Sequence, residues 1–247
     1  MSRAARTFRI AGKLVKFAFV LLIIFVNLLL IWRLFSVDTP SSMKALSPNE
    51  ALVSAYERNG GEVELVCQEQ RSITSAENNY GYFSVTRAAF IPSANQVQIV
   101  FRYNNSTLRH TQEDFSLESV PSRDEETYDV SLLLMVDKTP DDESDNFDNS
   151  PEAVESYRIH PAYFKTEQTT LYNYRLFVFD LGELDLAELF DNGTLLSVFA
   201  DAYYVGAIDY KDTPYGTLCL YDYITDIKTE KLSGADKKAI ESFNISK

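Results

Sequence analysis

The chain has 247 residues, of which 36 are acidic and 23 are basic, and its formal net charge is −13. Only two cysteines are present, which excludes a disulfide-rich scaffold and a four-cysteine zinc site. All 36 acidic residues but only 17 basic ones lie in residues 36–247, so this part carries a net charge of −19. Because binding to nucleic acid depends on Lys and Arg side chains that neutralise phosphates, we do not expect a nucleic-acid partner.

The most apolar segment lies near the N-terminus. Residues 17–32 contain one polar residue, Asn27. The wider stretch 14–35 would measure about 33 Å as a helix, enough for the ~30 Å hydrocarbon layer of a bilayer. Five basic residues precede the apolar run and only Arg33 follows it, which predicts a cytoplasmic N-terminus. The sequence therefore predicts a cytoplasmic basic tail over 1–13, a transmembrane signal-anchor helix over 14–35 and an extracytoplasmic remainder, at the cell surface or in a lumen.

The alternative for this segment is a cleaved signal peptide. Such peptides have an apolar stretch of about 7–15 residues followed by small residues at the cleavage site. Here the apolar run is followed by Arg33, Leu34 and Phe35. The absence of a cleavage pattern favours a permanent anchor in the lipid bilayer.

The remainder is expected to comprise a juxtamembrane tether over 36–46 and one domain over 47–247. The domain should open with a helix over about 48–58, because Ser47 and Glu50 have the spacing of a capping box. Pro48 would occupy the first helical position.

A short closing helix is expected near the C-terminus, where Ser233 and Asp236 repeat the capping pattern. Ala239, Ile240 and Phe243 would form its apolar face. A further short helix fits residues 181–193, with Asp185 as its cap.

Between the first and last helices, short runs of Val, Tyr, Phe, Ile and Thr alternate with clusters of turn residues. The alternation is clearest where Val97, Ile99 and Phe101 share one face. Strands are expected near 62–72, 81–90, 96–103, 128–137, 155–165, 171–180, 195–204 and 216–224. Eight strands with hairpin-like spacing predict a mainly β fold, an antiparallel β-sandwich or a barrel-like domain with short flanking helices.

One acidic segment resembles a calcium-binding loop. Its oxygen-bearing residues follow the ligand spacing of such loops: Asp141, Glu143, Asp145, Asn149 and Glu152. Asn146 replaces the glycine of the sharp turn, and Pro151 stands where an exiting helix would begin. The alternative is a solvated acidic loop, so we expect no cofactor, with Ca²⁺ as the one candidate.

The two cysteines, Cys67 and Cys219, either form one disulfide or remain as buried thiols. Cys219 also follows His160 in a chain with an N-terminal anchor and a β-rich exterior domain. This arrangement resembles that of the sortase-type cell-surface transpeptidases. The resemblance implies a cysteine nucleophile assisted by a histidine.

The chain departs from the motifs of that family. Its Thr-Leu-x-Thr-Cys motif is absent, because Cys219 follows Leu218 directly. Arg175 is the last arginine, so no downstream arginine stabilises an oxyanion. Zinc-protease, serine-hydrolase and phosphate-binding motifs are also missing.

We therefore expect a single-pass membrane protein whose acidic domain is a non-enzymatic binding or assembly module for an extracytoplasmic protein or glycan. The alternative function is a membrane-anchored cysteine transpeptidase or hydrolase that uses Cys219 and His160.

Overall fold

The computed structural model describes residues 3–36, 39–68, 71–74, 81–138, 154–208, 211–212, 214–223 and 228–245. The chain divides into two compact units, Met1–Pro40 and Ser41–Lys247.

The first unit consists of one helix, α1 (Arg3–Ser36). Its large apolar side chains between Val15 and Ile31 are 45% to 69% exposed. The one polar side chain of the apolar run is satisfied within the helix, because Asn27 Nδ2 donates to the carbonyl of Ile23 at 2.8 Å. Within the described residues, no helix has the combined length and apolar character that crossing a bilayer requires. The predicted transmembrane helix is therefore not confirmed.

The second unit contains eleven strands and five helices in its described residues. The helices are α2 (Ser41–Lys44), α3 (Glu50–Arg58), α4 (Asn105–Asp114), α5 (Leu186–Asp191) and α6 (Gly234–Ile245). The strands are β1 (Glu64–Gln68), β2 (Arg71–Thr74), β3 (Gly81–Ile91), β4 (Gln96–Asn104), β5 (Tyr128–Asp137), β6 (Val154–Ile159), β7 (Tyr163–Gln168), β8 (Tyr172–Asp180), β9 (Leu195–Tyr204), β10 (Gly216–Asp222) and β11 (Lys228–Lys231).

The strands form two antiparallel sheets. The large sheet has the order β11-β1-β3-β4-β8-β7, and β2 pairs with β3 beside this path. The small sheet has the order β10-β9-β5-β6. Neither sheet closes into a barrel among the described strands, so of the two predicted arrangements the two-sheet one agrees with the structure. The prediction of a mainly β fold is confirmed.

The two sheets share one core. Val97, Ile99 and Phe101 on the large sheet belong to the same buried cluster as Leu132 and Leu134 on the small sheet. The predicted alternation is thus confirmed, because these alternate positions of β4 all face inward. The apolar surface that the two sheets bury against each other is the main source of stability in such a fold.

Helices cover the opposite face of the large sheet. Leu52 on α3 and Ile240 on α6 are fully buried in a second cluster with Leu65 and Ile91 of the sheet. The predicted cap of α6 is confirmed, since Ser233 Oγ accepts the backbone N–H of Asp236 at 3.2 Å.

The start of α3 differs from the prediction. Asn49 is the N-cap and accepts the N–H of Leu52 at 3.0 Å. The expected cap, Ser47, is held instead by the amide of buried Gln98, which accepts the N–H of Ser47 at 2.8 Å and donates to its carbonyl at 2.9 Å. This pairing keeps Ser47 in the chain segment that precedes the helix.

Residues 41–46 of the predicted tether are part of the second unit. The side chain of Met43 is 1% exposed and packs on the outer face of β4 and β8. Leu46 is 2% exposed, and its N–H donates to Asp236 Oδ1 at 2.7 Å. Only residues 37–40 separate α1 from α2.

Candidate functional site

Helix α5 lies beside the turn that joins β3 to β4, and one asparagine holds it there. Asn95 adopts a left-handed conformation with φ of 52°. Its Oδ1 accepts the N–H of Leu186 at 3.0 Å, and its Nδ2 donates to the carbonyl of Gly182 at 3.2 Å. Asp185 Oδ1 then caps the helix by accepting the N–H groups of Ala187 and Glu188.

A cleft of about 560 Å³ lies along one face of α5, and we call it the acidic cleft. Its floor includes Val136, Leu181 and Leu189. Four carboxylates line it: Asp137, Glu183, Asp185 and Glu188. This volume is in the range of small-molecule and side-chain binding pockets.

Lys138 is the one basic residue among the described residues that line the acidic cleft. It forms an ion pair with Glu155, which also accepts the hydroxyl of Tyr157 at 2.6 Å. These hydrogen bonds raise the pKa of Lys138 and lower that of Glu155. The Lys138 ammonium also lies 5.5 Å from the Tyr157 ring centre. The positive charge of Lys138 is therefore already balanced by Glu155, which is not one of the four carboxylates that line the cleft.

A second cleft of about 660 Å³ lies along the other side of α5, and we call it the apolar cleft. Its apolar lining comes from four residues: Val66, Pro92, Ala187 and Phe190. Three exposed carboxylates also line it: Glu62, Glu64 and Asp191. The described lining residues include neither lysine nor arginine.

One hydroxyl in the apolar cleft has no partner. Ser93 Oγ is buried from solvent and makes no hydrogen bond within the described part of the chain. A buried hydroxyl without a hydrogen bond is unfavourable. Because this oxygen is sealed from solvent, the packing around it must open before a group in the cleft can reach it.

A polar network spans the outer face of the small sheet. Buried Asp201 on β9 accepts Arg158 Nη1 of β6 at 3.0 Å and Thr217 Oγ1 of β10 at 2.7 Å. Arg158 also donates to Ser131 Oγ on β5 at 3.1 Å, and Ser131 donates to the Tyr203 hydroxyl at 3.2 Å. The network contains a serine and a carboxylate but no histidine, and its Asp201 charge is balanced by Arg158. Its geometry is that of a structural tie between four strands.

A second buried polar group lies between the loop before β5 and strand β8. Arg175 is 4% exposed and donates to the carbonyls of Tyr128 and Glu125 at 2.5 and 2.9 Å. Burial raises the pKa of Tyr128, whose hydroxyl lies 2.6 Å from Thr111 Oγ1. The guanidinium thus fixes a loop by its carbonyl groups, which is a structural role.

The structure does not place Cys219 and His160 as neighbours. Cys219 is half-buried on β10, and its thiol donates to the carbonyl of Tyr221 at 3.1 Å. His160 is exposed and directly follows β6. Because β10 and β6 are the two edges of the small sheet, three strand spacings of about 4.8 Å lie between them.

The other predicted site residues are only partly described. The calcium candidates Asp141, Glu143, Asp145, Asn149 and Glu152 all lie outside the described residues. The backbone of Cys67 lies on β1 of the large sheet, but its side chain is outside the described part, so the disulfide stays a prediction. In the described portion of the chain, no group of three His, Cys, Asp or Glu side chains is arranged to hold a metal ion.

The chain matches no family model, no curated protein and no solved structure. The candidate site therefore depends on the geometry around α5 alone.

Sequence reasoning predicted α5 and its Asp185 cap but neither cleft. The residues that line the clefts come from segments as distant as Asn59 and Thr229 in the apolar cleft. The one local signal is the row of acidic residues along 183–191, in which Asp185, Glu188 and Asp191 recur at intervals of three residues.

Proposed function

We propose that the protein is a single-pass, membrane-anchored binding module whose acidic β-sandwich domain contacts a partner on the extracytoplasmic side. The observation that carries this proposal is the exposure of the apolar side chains of α1 between Val15 and Ile31. Contiguous apolar surface of this extent is unfavourable in water and favours insertion into lipid.

The composition of α1 supports insertion with one orientation. Thirteen of its residues between 17 and 32 are Leu, Ile, Phe or Val, each worth about −0.3 to −0.6 kcal/mol on insertion. Asn27 adds little cost because its amide is bonded within the helix. The basic residues before position 17 favour a cytoplasmic N-terminus.

The second unit supports binding rather than catalysis. The polar network around Asp201 joins four strands and balances its own charge, and the two clefts present carboxylates beside apolar surface. With 37–40 as the only connecting residues, such a module would act close to the lipid surface.

Membrane fractionation and protease protection of the full chain test the anchor. We expect the chain to resist extraction by alkaline carbonate, and we expect protease to digest the domain only from the extracytoplasmic side of vesicles. The double variant Leu22→Arg, Val26→Arg should release the chain, because each central arginine costs about 2.5–3.5 kcal/mol of insertion.

The matched control is Leu22→Ala, Val26→Ala, which shortens the same side chains without adding charge and should stay in the membrane. Carbonate extraction of the unaltered chain, or digestion of the domain from the cytoplasmic face, would contradict the proposal.

A further inference from the structure

We propose that the two clefts beside α5 form one binding site for an extended polypeptide segment that carries basic residues next to a large apolar side chain. This inference rests on the proposed function as a binding module and names the class of its partner.

The two clefts lie on opposite faces of α5. Asp185, Glu188, Leu189 and Asn192 line the acidic cleft with the spacing of one helical face. Ala187, Phe190 and Asp191 line the apolar cleft with the same spacing on the opposite face. An α-helix with side chains is about 10 Å wide, so a ligand that occupies both clefts must extend over this distance.

The lining of both clefts is negatively charged. The described lining of the two clefts contains seven carboxylates and one ammonium group, Lys138, which is paired with Glu155. Of the seven, Glu62 lies 3.8 Å from Lys231, an exposed contact of little energetic weight. The net negative charge of this lining is complementary to a cationic partner and would speed its approach at low ionic strength.

The apolar cleft has the size and lining to accept a large apolar side chain. Phe190 and Val66 offer apolar surface within about 660 Å³, enough for a Leu or Phe side chain and part of its backbone. Carboxylates around an apolar pocket therefore fit an apolar side chain with Lys or Arg neighbours.

A polypeptide fits these features better than a small amine, because a small amine would fill one cleft and leave the opposite face of α5 unused. Nucleic acid is excluded by the negative charge of both clefts.

The test uses the full chain in nanodiscs of zwitterionic lipid and a short synthetic peptide with a central Phe between lysines. Two matched peptides replace the Phe by Ser or the lysines by Glu. Fluorescence anisotropy at low salt should show that the Phe peptide binds most tightly, the Ser peptide about tenfold more weakly, and the Glu peptide not at all.

Two kinds of variant distinguish the contribution of the apolar cleft from the contribution of charge. Ala187→Trp fills the apolar cleft and should weaken the Phe peptide about tenfold while it leaves the Ser peptide unchanged. Glu188→Gln with Asp191→Asn lowers the charge on both sides of α5 and should weaken both lysine peptides several-fold, an effect that disappears at high salt. The control is Glu118→Gln, an exposed carboxylate that lines neither cleft.

Equal binding of the Phe peptide to the unaltered chain and to folded Ala187→Trp would overturn the inference, as would an equal effect of Glu118→Gln and of the α5 variants. Because the α5 charge variants alter exposed side chains only, they still decide the question if Ala187→Trp unfolds. A chain that stays anchored but binds no peptide refutes this inference alone, whereas a chain that carbonate extracts refutes the proposed function.

Discussion

Two buried glutamines on β4 differ in their hydrogen bonding. Gln96 is 1% exposed, and neither its Nε2 nor its Oε1 has a partner among the described groups. Gln98 is 2% exposed, and both ends of its amide bond to the backbone of Ser47. The same residue type is thus unsatisfied at one position and fully satisfied two residues later.

We expect Gln96→Leu to raise the free energy of unfolding by about 1 kcal/mol, because it removes a buried unsatisfied amide at similar volume. Gln98→Leu should lower it by about 2 kcal/mol, because two backbone groups of Ser47 would lose their partners. Urea unfolding followed by circular dichroism measures both. A loss of stability in Gln96→Leu as large as that in Gln98→Leu would show that the Gln96 amide is satisfied by water.

Asp236 makes stability depend on pH. Burial alone would raise the pKa of its carboxyl, but hydrogen bonds from Arg87 and Ser233 outweigh burial and hold the pKa below its usual value. A carboxyl whose pKa is lower in the folded state stabilises the fold above its unfolded pKa of about 3.9, and this contribution is lost as the pH falls through the folded value. We therefore expect the free energy of unfolding to decrease below about pH 4.

Asp236→Asn should remove this part of the acid dependence and lower stability at pH 7, because Arg87 would keep its charge without a carboxylate to balance it. Denaturant unfolding between pH 3 and pH 7 measures the effect, with Asp180→Asn on an exposed carboxyl as the control. Parallel pH profiles for Asp236→Asn and the unaltered chain would contradict the assignment.

At the scale of elements, most strands could be predicted, because apolar and polar residues alternate along a strand that has one buried face. The predicted strand over 155–165 is instead two strands, β6 in the small sheet and β7 in the large one. Pro161 explains the break, since it cannot donate a backbone hydrogen bond and it restricts His160 before it. The change of sheet itself has no local signal, because both strands have similar composition.

Helix α4 and strand β11 were not predicted, for physical reasons. Helix α4 contains a single large apolar residue, Leu108, so it shows no helical periodicity. Its signal was the capping box of Asn104 and Thr107, in which Asn104 Oδ1 accepts the N–H groups of Ser106 and Thr107. Strand β11 is polar and lies at the edge of its sheet, where pairing with β1 supplies the backbone bonds that its side chains do not predict.

The polar network of Arg158 and Asp201 across the small sheet should contribute more to the free energy of unfolding than the ion pair of Lys138 and Glu155 at its edge. Arg158→Met leaves the buried Asp201 carboxylate without its cation and should lower the free energy of unfolding by on the order of 2 kcal/mol. Lys138→Met breaks a pair whose side chains are 56% and 48% exposed, and it should leave the unfolding midpoint unchanged. Equal effects of the two substitutions in thermal unfolding would contradict the structural role of the network.

At the scale of the whole molecule, the sequence correctly indicated a mainly β fold but not where its packing begins. Residues 36–46 look like a tether because they are short and polar around Asp38 and Ser41. Met43 and Leu46 are nevertheless buried, because the outer face of the large sheet leaves space that α3 and α6 do not fill. Such long-range packing has no periodic signal in a segment this short, and the same reason hides the clefts beside α5.

Residues 41–47 should stabilise the second unit through buried side chains and backbone hydrogen bonds. A truncated chain that begins at Ser41 keeps Met43, Leu46 and the backbone bonds of Leu46 and Ser47. A chain that begins at Pro48 loses two buried apolar side chains, worth about 1.5–3 kcal/mol each, and leaves both ends of the buried Gln98 amide without their partners.

We therefore expect the chain from Ser41 to unfold cooperatively with a high midpoint, and the chain from Pro48 to be destabilised by at least about 3–6 kcal/mol or to be unfolded. Thermal and urea unfolding of the two truncated chains, compared under the same conditions, measure the difference. The double variant Met43→Ala, Leu46→Ala in the chain from Ser41 separates side-chain packing from backbone hydrogen bonding. It removes the apolar side chains and keeps the backbone hydrogen bonds of Leu46 and Ser47. Equal stability of the chains from Ser41 and Pro48 would show that the segment before α3 contributes nothing to the fold of the second unit.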